Sequence, residues 1–304
     1  MVIHRFNSLA NLDGVVHAVS TRHGGVSIGP YASLNLGLHV GDSADAVLEN
    51  RRRVCEAAGV ELDSLVAGAQ VLGNAVAWVT EADRGRGAKD QASALPDTDA
   101  LVTDSPGVVL VAFSADCALV ALVDPCRRAI GLAHASRRGT LGHVAARTVR
   151  AMQRLFGCQP ADLVAAIGPS IGPCCYEVGP EVREQEAVGR RQEAVGSGKR
   201  EVGRRKEEVG RQKEEVGSEG DAASPSGGDG VPEGCGPARF FIESEGRIHF
   251  DLWAANTAQL VEAGLAAERI EVASICTRCH SDEFFSYRAA GGPTGRFAVL
   301  LGMR

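Results

Sequence analysis

The chain has 304 residues, 44% of them hydrophobic, with nine cysteines and a formal net charge of −6. That is enough apolar material for a substantial core, and the acidic balance excludes a global basic field for nucleic acid. No apolar stretch approaches the length of a membrane span, no secretory signal pattern opens the chain, and an odd cysteine count beside an ample core predicts a cytoplasmic protein with free or metal-bound thiols.

In chain order, the first unusual stretch is "TRHGGVSIGPYASLNLGLHVGD" (21–42), dense in Gly, Asn, Ser and His. It is too long and polar for a simple connection and reads either as a ligand-binding loop or as an ordered Ω-type loop. Three short apolar runs follow, "GVVLVAF" (107–113), "ALVALVD" (118–124) and "AIGLAHA" (129–135), each bounded by turn residues. These are predicted as buried strands. In "TLGHVAARTVRAMQRLF" (140–156), Leu141, Val144, Ala145, Thr148, Val149, Met152 and Leu155 recur at three- and four-residue steps, which predicts a helix. "DLVAAIG" (162–168) is a further strand, and "GPSIGPCCYEVGP" (168–180) is a Gly/Pro-rich loop.

From 184 the texture changes. Val188, Val195, Val202, Val209 and Val216 fall seven apart, each followed by glycine. A heptad invites a coiled-coil reading, but one small apolar residue per repeat gives no seam, and glycine costs about 1 kcal/mol per repeat in a helix. Residues 184–237 are therefore read as a low-complexity, largely disordered insertion. Folded texture resumes with a helix in "DLWAANTAQLVEAG" (251–264), a strand in "IEVASI" (270–275) and a closing strand at the tail. Neither flank offers a complete core, so 1–183 and 238–304 are expected to form one domain of mixed α/β class, its mixed sheets flanked by helices.

The chemistry-bearing residues cluster around two strand ends. Cys117 lies in the turn between two strands, where reactive groups reach clefts. His134 ends the next strand, and "ASRRGT" leads from it into the helix. A helix start beside Arg137, Arg138 and the flexible Gly139 offers an anion site. On their own, a buried cysteine and a lone histidine are ordinary core residues, and catalytic zinc sites use three protein ligands. "CTRCH" (276–280) matches a haem-attachment pattern, but no periplasmic context accompanies it. Read as half of a structural zinc site, it lacks a second C-x-x-C after it. The adjacent Cys174 and Cys175 are expected to pack in a tight loop rather than share one ion.

Seven ordered blocks carry a resemblance: "STRHGGVSIGPYASLNLGLHVGD", "NRRRV", "TDALVTDSPGVVLVAFSADCALVALVDP", "GLAHASRRGT", "AAIGPSIGPCCYEVGPEV", "FDLWAANTAQL" and "CTRCHSDEFFSYRAAGGPTGRFAVLL". Together they resemble the laccase-domain family, known as YfiH or PgeF proteins and as multicopper polyphenol oxidases. The resemblance implies a zinc site of two histidines and one cysteine. It implies phosphorolysis of purine nucleosides such as adenosine and inosine, with deamination of adenosine as a further activity. Some members are described instead as peptidoglycan editing factors, and the alternative is a catalytically impaired member with a ligand-binding or peptidoglycan-precursor editing role. Copper chemistry is disfavoured, since the multiple His-x-His pairs needed by several copper ions are missing.

Carried over residue by residue, Cys117 and His134 match family metal ligands. The second histidine belongs to a Q-V-H-G block that here reads Gln70, Val71, Leu72, Gly73. Leucine has no lone pair, so zinc held by Cys117 and His134 alone would bind weakly. Three outcomes stay open: His39 or His23 supplies the missing ligand, Cys117 and His134 work without tightly bound metal, or activity is lost. Cys117, His134, Arg22 and Arg138 are the expected catalytic residues. Arg137, Gly139, Thr140 and Asn35 are expected to bind nucleoside and phosphate. Neither a nucleic acid nor a membrane is an expected partner.

Overall fold

The structure is a computed structural model that describes residues 3–184 and 240–304. The heptad-repeat segment expected at 184–237 lies, from residue 185 onward, outside the described residues.

Two mixed sheets form the centre. The first has five strands in the order β1 (Ile3–His4), β2 (Val15–Ser20), β14 (Phe297–Met303), β6 (Val109–Ser114) and β3 (Leu65–Ala67). The second has six: β13 (Ile270–Val272), β9 (Val164–Ile167), β7 (Ala118–Asp124), β8 (Ala129–Ala135), β5 (Ala100–Thr103) and β4 (Val76–Trp78). The pairs β3·β6, β4·β5 and β9·β13 are parallel and the remaining pairs antiparallel.

The period-2 alternation of each strand says how the sheets stack. Leu119, Ala121 and Val123 of β7 join Leu110 of β6 and Phe297, Val299 and Leu301 of β14 in one core between the sheets. The alternate residues Val120 and Leu122 of β7 face outward, against Val149 and Met152 of a helix. Every residue of β7 is buried, which is why its sequence is a continuous apolar run. Each fully buried Leu, Ile, Val or Phe here contributes about 1.5–3 kcal/mol.

Helices cover both outer faces. α2 (Ala44–Ala58) packs Val54, Cys55 and Ala58 on the first sheet. It starts at the Ser43 cap, whose side chain accepts from the Ala46 amide, and stops at Gly59, left-handed at φ +70°. The predicted helix 140–156 is two helices, α3 (Arg137–Leu141) and α4 (Val144–Phe156). The break lies at Gly142–His143, where His143 has φ +58° and the Asn74 side chain donates to the Gly142 carbonyl at 2.7 Å. A Cβ on Gly142 would sit 2.6 Å from that Asn74 amide nitrogen. The close approach of the 72–74 turn, invisible to helical periodicity, stops the first helix. α4 lies on β8 at Gly131, where a Cβ would come 2.9 Å from Thr148 Cγ2 and 3.0 Å from Met152 sulfur. α5 (Leu252–Glu262) packs beside α4, its Leu260 in the same outer cluster, and starts at Asp251, whose carboxylate accepts from the Ala254 amide at 2.9 Å.

A third, small sheet has the order β10 (Glu177–Val178), β12 (Arg247–Phe250) and β11 (Phe241–Ser244). Strands from before and after the undescribed segment thus pair within one sheet. No helix among the described residues is long and apolar enough to cross a membrane.

Candidate active site

Strands β6 and β7 are neighbours in sequence but belong to different sheets, so the chain changes sheet at residues 115–117. That crossing presents Cys117. Asp116 takes φ +103°, a conformation L-residues rarely adopt and one that functional turns tend to hold. Its neighbours over-determine it. The Asp116 carboxylate accepts from Thr277 Oγ1 and from the Arg288 amide, both at 2.7 Å, and its carbonyl accepts from the Ile171 amide at 2.8 Å. Ser114 Oγ donates to the Cys117 carbonyl at 2.7 Å.

His134, near the end of β8, is buried, and its Nδ1 lies 2.9 Å from Asp99 Oδ1. That contact leaves the other ring nitrogen, Nε2, free for the cavity that His134 and Cys117 both line. Burial by itself would lower this histidine. The facing Cys117 sulfur and the Asp99 carboxylate outweigh burial and raise it to about 9. Asp99 is buried too. Burial opposes its ionisation, yet His134 and the amides of Gly73 and Val71 hold its carboxyl below the ordinary range.

The same carboxylate fixes the position where the sequence carries leucine. Asp99 accepts from the amides of Val71 (3.2 Å), Leu72 (3.1 Å) and Gly73 (2.7 Å). Gln70 ties this turn to β6 through a pair of 2.8 Å bonds with the Phe113 backbone. Leu72 sits in the left-handed region at φ +61° with its side chain 45% exposed. One acidic group therefore orients the imidazole and holds the backbone of the 71–73 turn.

Cys117, His134 and Leu72 line one cavity of about 400 Å³, together with His39, Asp116, Tyr176, Arg288 and Arg296. His39 comes from the 21–42 loop. Desolvation and the nearby Arg296, Arg51 and His134 push it down to about 4, so it is neutral at pH 7. The loop is an ordered Ω-type structure pinned to α2, since Asn50 Nδ2 donates to Ser27 Oγ and to the carbonyls of Ser33 and Asn35. Of the two histidines proposed as surrogate ligands, His39 reaches the cavity wall and His23 does not.

The other residues expected at the site lie elsewhere. Arg22 donates to the carbonyls of Ala32 and Ser281 and stacks over Phe285 at 4.8 Å, outside the cavity wall. Arg137 and Arg138 sit on α3, also outside it, though Arg137 is near enough to act on Tyr176. At this helix start the Gly139 amide is taken by the cap, donating to Ser136 Oγ at 2.9 Å. Thr140 receives Asn256 Nδ2 at its hydroxyl and Gln259 Nε2 at its carbonyl, so it docks α5. Asn35 is buried and accepts from the Arg296 amide at 2.8 Å, which places it behind the cavity rather than in it. The cationic groups that do line the cavity are Arg288 and Arg296, and the partner of His134 is Asp99. None of the three was singled out from the sequence, although all lie inside the blocks that carry the resemblance.

The zinc ion implied by that resemblance does not fit this donor set. Cys117 and His134 offer two ligands, Leu72 offers none, and His39 does not complete a group of three. Among the described residues, the group of three or more ligating atoms within mutual reach is Cys174, Cys175, Cys276 and Cys279, all within 4.8 Å of one another. This corrects the expectation of mere packing at Cys174–Cys175, and it supplies the second cysteine pair that "CTRCH" lacks in sequence. The two pairs converge, and the cluster could hold a metal ion. Burial opposes ionisation of Cys276, but the amides of Cys279, Gly172 and Arg278 point at its sulfur and bring it down to about 7. Burial and the neighbouring thiols raise Cys174, and raise Cys175 to about 11.

A family profile described as "Multi-copper polyphenol oxidoreductase laccase" matches residues 16–209 and 208–304. The chain belongs to this family. Within it, the chain is 37% identical over 291 residues to purine nucleoside phosphorylase YlmD of Geobacillus stearothermophilus, covering 96% of this chain and 91% of the relative. The crystal structure of that YlmD superposes with a TM-score of 0.79 at 36% identity, covering 98% of this chain and 94% of the other. Adenosine deaminase RL5, from an unknown prokaryotic organism, is 34% identical over 92% of this chain and 91% of its own length. The mixed α/β fold with mixed sheets is thus the fold of the family.

Proposed function

We propose that this chain is a purine nucleoside phosphorylase whose reaction runs in the cavity between Cys117 and His134. The observation that carries the reading is the Asp99–His134 pair sharing a cavity of about 400 Å³ with Cys117 and two arginines. The family relationship to YlmD supplies the substrate class.

Phosphorolysis needs an anion pocket and an acid. A phosphate oxygen bonds to ribose C1′ as the bond from C1′ to the purine nitrogen breaks, and the electron pair leaves on the base. His134, raised to about 9, carries its second proton at neutral pH. It gives the proton on Nε2 to the departing purine and recovers one from monohydrogen phosphate, so the products are the neutral base and ribose 1-phosphate. A positioned acid of this kind is worth about 10²–10⁴ in rate. Arg288 and Arg296 supply planar donors suited to a phosphate. Asp99 keeps the imidazole oriented and charged. Deamination of adenosine at the same cavity is a second reading, supported by the match to RL5.

The test is incubation with adenosine or inosine, with and without phosphate. Phosphorolysis predicts free base and ribose 1-phosphate only when phosphate is present, whereas deamination predicts inosine from adenosine without it. His134→Ala and Cys117→Ala are expected to lose base release, and Arg296→Ala to raise KM for phosphate. Unchanged turnover in His134→Ala would remove the cavity from the mechanism.

A further inference from the structure

The two cysteine pairs lie about a hundred residues apart in sequence, outside the wall of the active cavity. We propose that Cys174, Cys175, Cys276 and Cys279 bind one zinc ion in a tetrathiolate site that fastens together the two loops behind the active cavity.

The geometry suits a tetrahedral ion. Zinc–sulfur bonds of about 2.3 Å place ligand sulfurs about 3.8 Å apart. Here Cys174 and Cys175 sulfurs lie 3.7 and 3.4 Å from that of Cys279, with all four inside 4.8 Å. Four sulfur donors in this arrangement select zinc over the hard cations that need oxygen. The Gly172 amide donates to Cys276 sulfur at 3.3 Å. Backbone donors aimed at sulfur offset the charge that four thiolates bring to one cation.

The loops are also joined by backbone, since the Ser170 amide donates to the Ile275 carbonyl and the Thr277 amide to the Ser170 carbonyl. What they carry reaches the cavity. Tyr176, next to Cys175, is in its wall, and Thr277, next to Cys276, holds the Asp116 carboxylate beside Cys117. A bound ion would fix both sides of this wall, a structural role that needs no open coordination position.

The experiment uses full-length protein purified under reducing conditions, with metal measured by elemental analysis and accessible thiols counted by alkylation. About one zinc per chain is expected in the wild type. The same content is expected in the double variant Cys117→Ala/His134→Ala, which separates this site from the active cavity. In Cys175→Ser/Cys279→Ser zinc should fall at least tenfold. Should that variant fold poorly, cobalt loading of the chelated wild type serves instead. An intense thiolate-to-cobalt charge-transfer band, kept when Cys117 and His134 are replaced, supports the site. Four freely alkylated thiols without metal, a disulfide among the four, or zinc that disappears with Cys117 and His134 each overturn it.

Discussion

Replacing Leu72 by histidine tests the active-site geometry most directly. The turn that holds this residue is anchored by three amides on Asp99, so the backbone stays in place whatever side chain it carries. The φ of +61° suits the newcomer, because histidine is enriched in the left-handed region relative to bulky aliphatic residues. Leu72 is 45% exposed; with roughly half of a leucine's ~2 kcal/mol burial term at stake, the change should cost no more than about 1 kcal/mol. The imidazole joins Cys117 and His134 in one cavity and supplies the third protein ligand of a catalytic zinc site. Loss of a group merely supporting a ligand weakens metal binding by about 10–100-fold, so gain of a ligand should strengthen it by at least about 100-fold. Elemental analysis alone does not separate this effect from the four-cysteine site; the increment does. Zinc per chain should rise by about one equivalent in Leu72→His and should fall back when Cys117→Ala is added. Nucleoside turnover in the zinc-loaded variant should rise with it. If Leu72→His folds, takes up no additional zinc and turns over nucleosides at the wild-type rate, then residue 72 does not face the cysteine–histidine pair and the reasoning fails.

Asp99→Asn keeps the size of the side chain but removes the charge behind His134. It should lower the histidine's titration, readable by NMR, and reduce turnover by about 10²-fold or more, while an unshifted His134 resonance would contradict the assigned contact. His134 also predicts a pH dependence of stability. Its folded value, about 9, stands above the ordinary 6.5. Its contribution is therefore fully present below about 6.5 and is lost as pH rises through about 9. Urea midpoints measured across this window should fall for the wild type and be flatter for His134→Gln; parallel curves would contradict the shift. Gly131→Val puts a branched side chain where Thr148 and Met152 already lie within 3.0 Å of a Cβ. Such overpacking should cost about 1–3 kcal/mol in denaturant unfolding, and a neutral result would show that α4 can move off the sheet.

Local pattern made part of this molecule legible. The apolar runs at 107–135 are strands because runs that uniform are buried on both faces. The turn carrying Cys117 and the strand carrying His134 followed from them. Helical periodicity found α4 from 144 onward but not its separation from α3, because the obstacle is the Asn74 side chain, some seventy residues earlier in the chain. Arginine identity was equally uninformative. Arg22 and Arg296 look alike in sequence and both donate to backbone carbonyls, yet only Arg296 lines the cavity wall.

Composition, strand pattern and the ordered blocks are properties of contiguous residues, so the chain alone settled its α/β class and family and named Cys117, His134 and the departure at Leu72. Contacts across long separations are not written in any local pattern. The switch between sheets at residues 115–117, the buried Asp99 that serves both His134 and the 71–73 turn, and the meeting of Cys174 and Cys175 with Cys276 and Cys279 each depend on where distant backbone is carried by packing. Tertiary structure decided these, because the distance between two side chains is fixed by the core that separates or joins them.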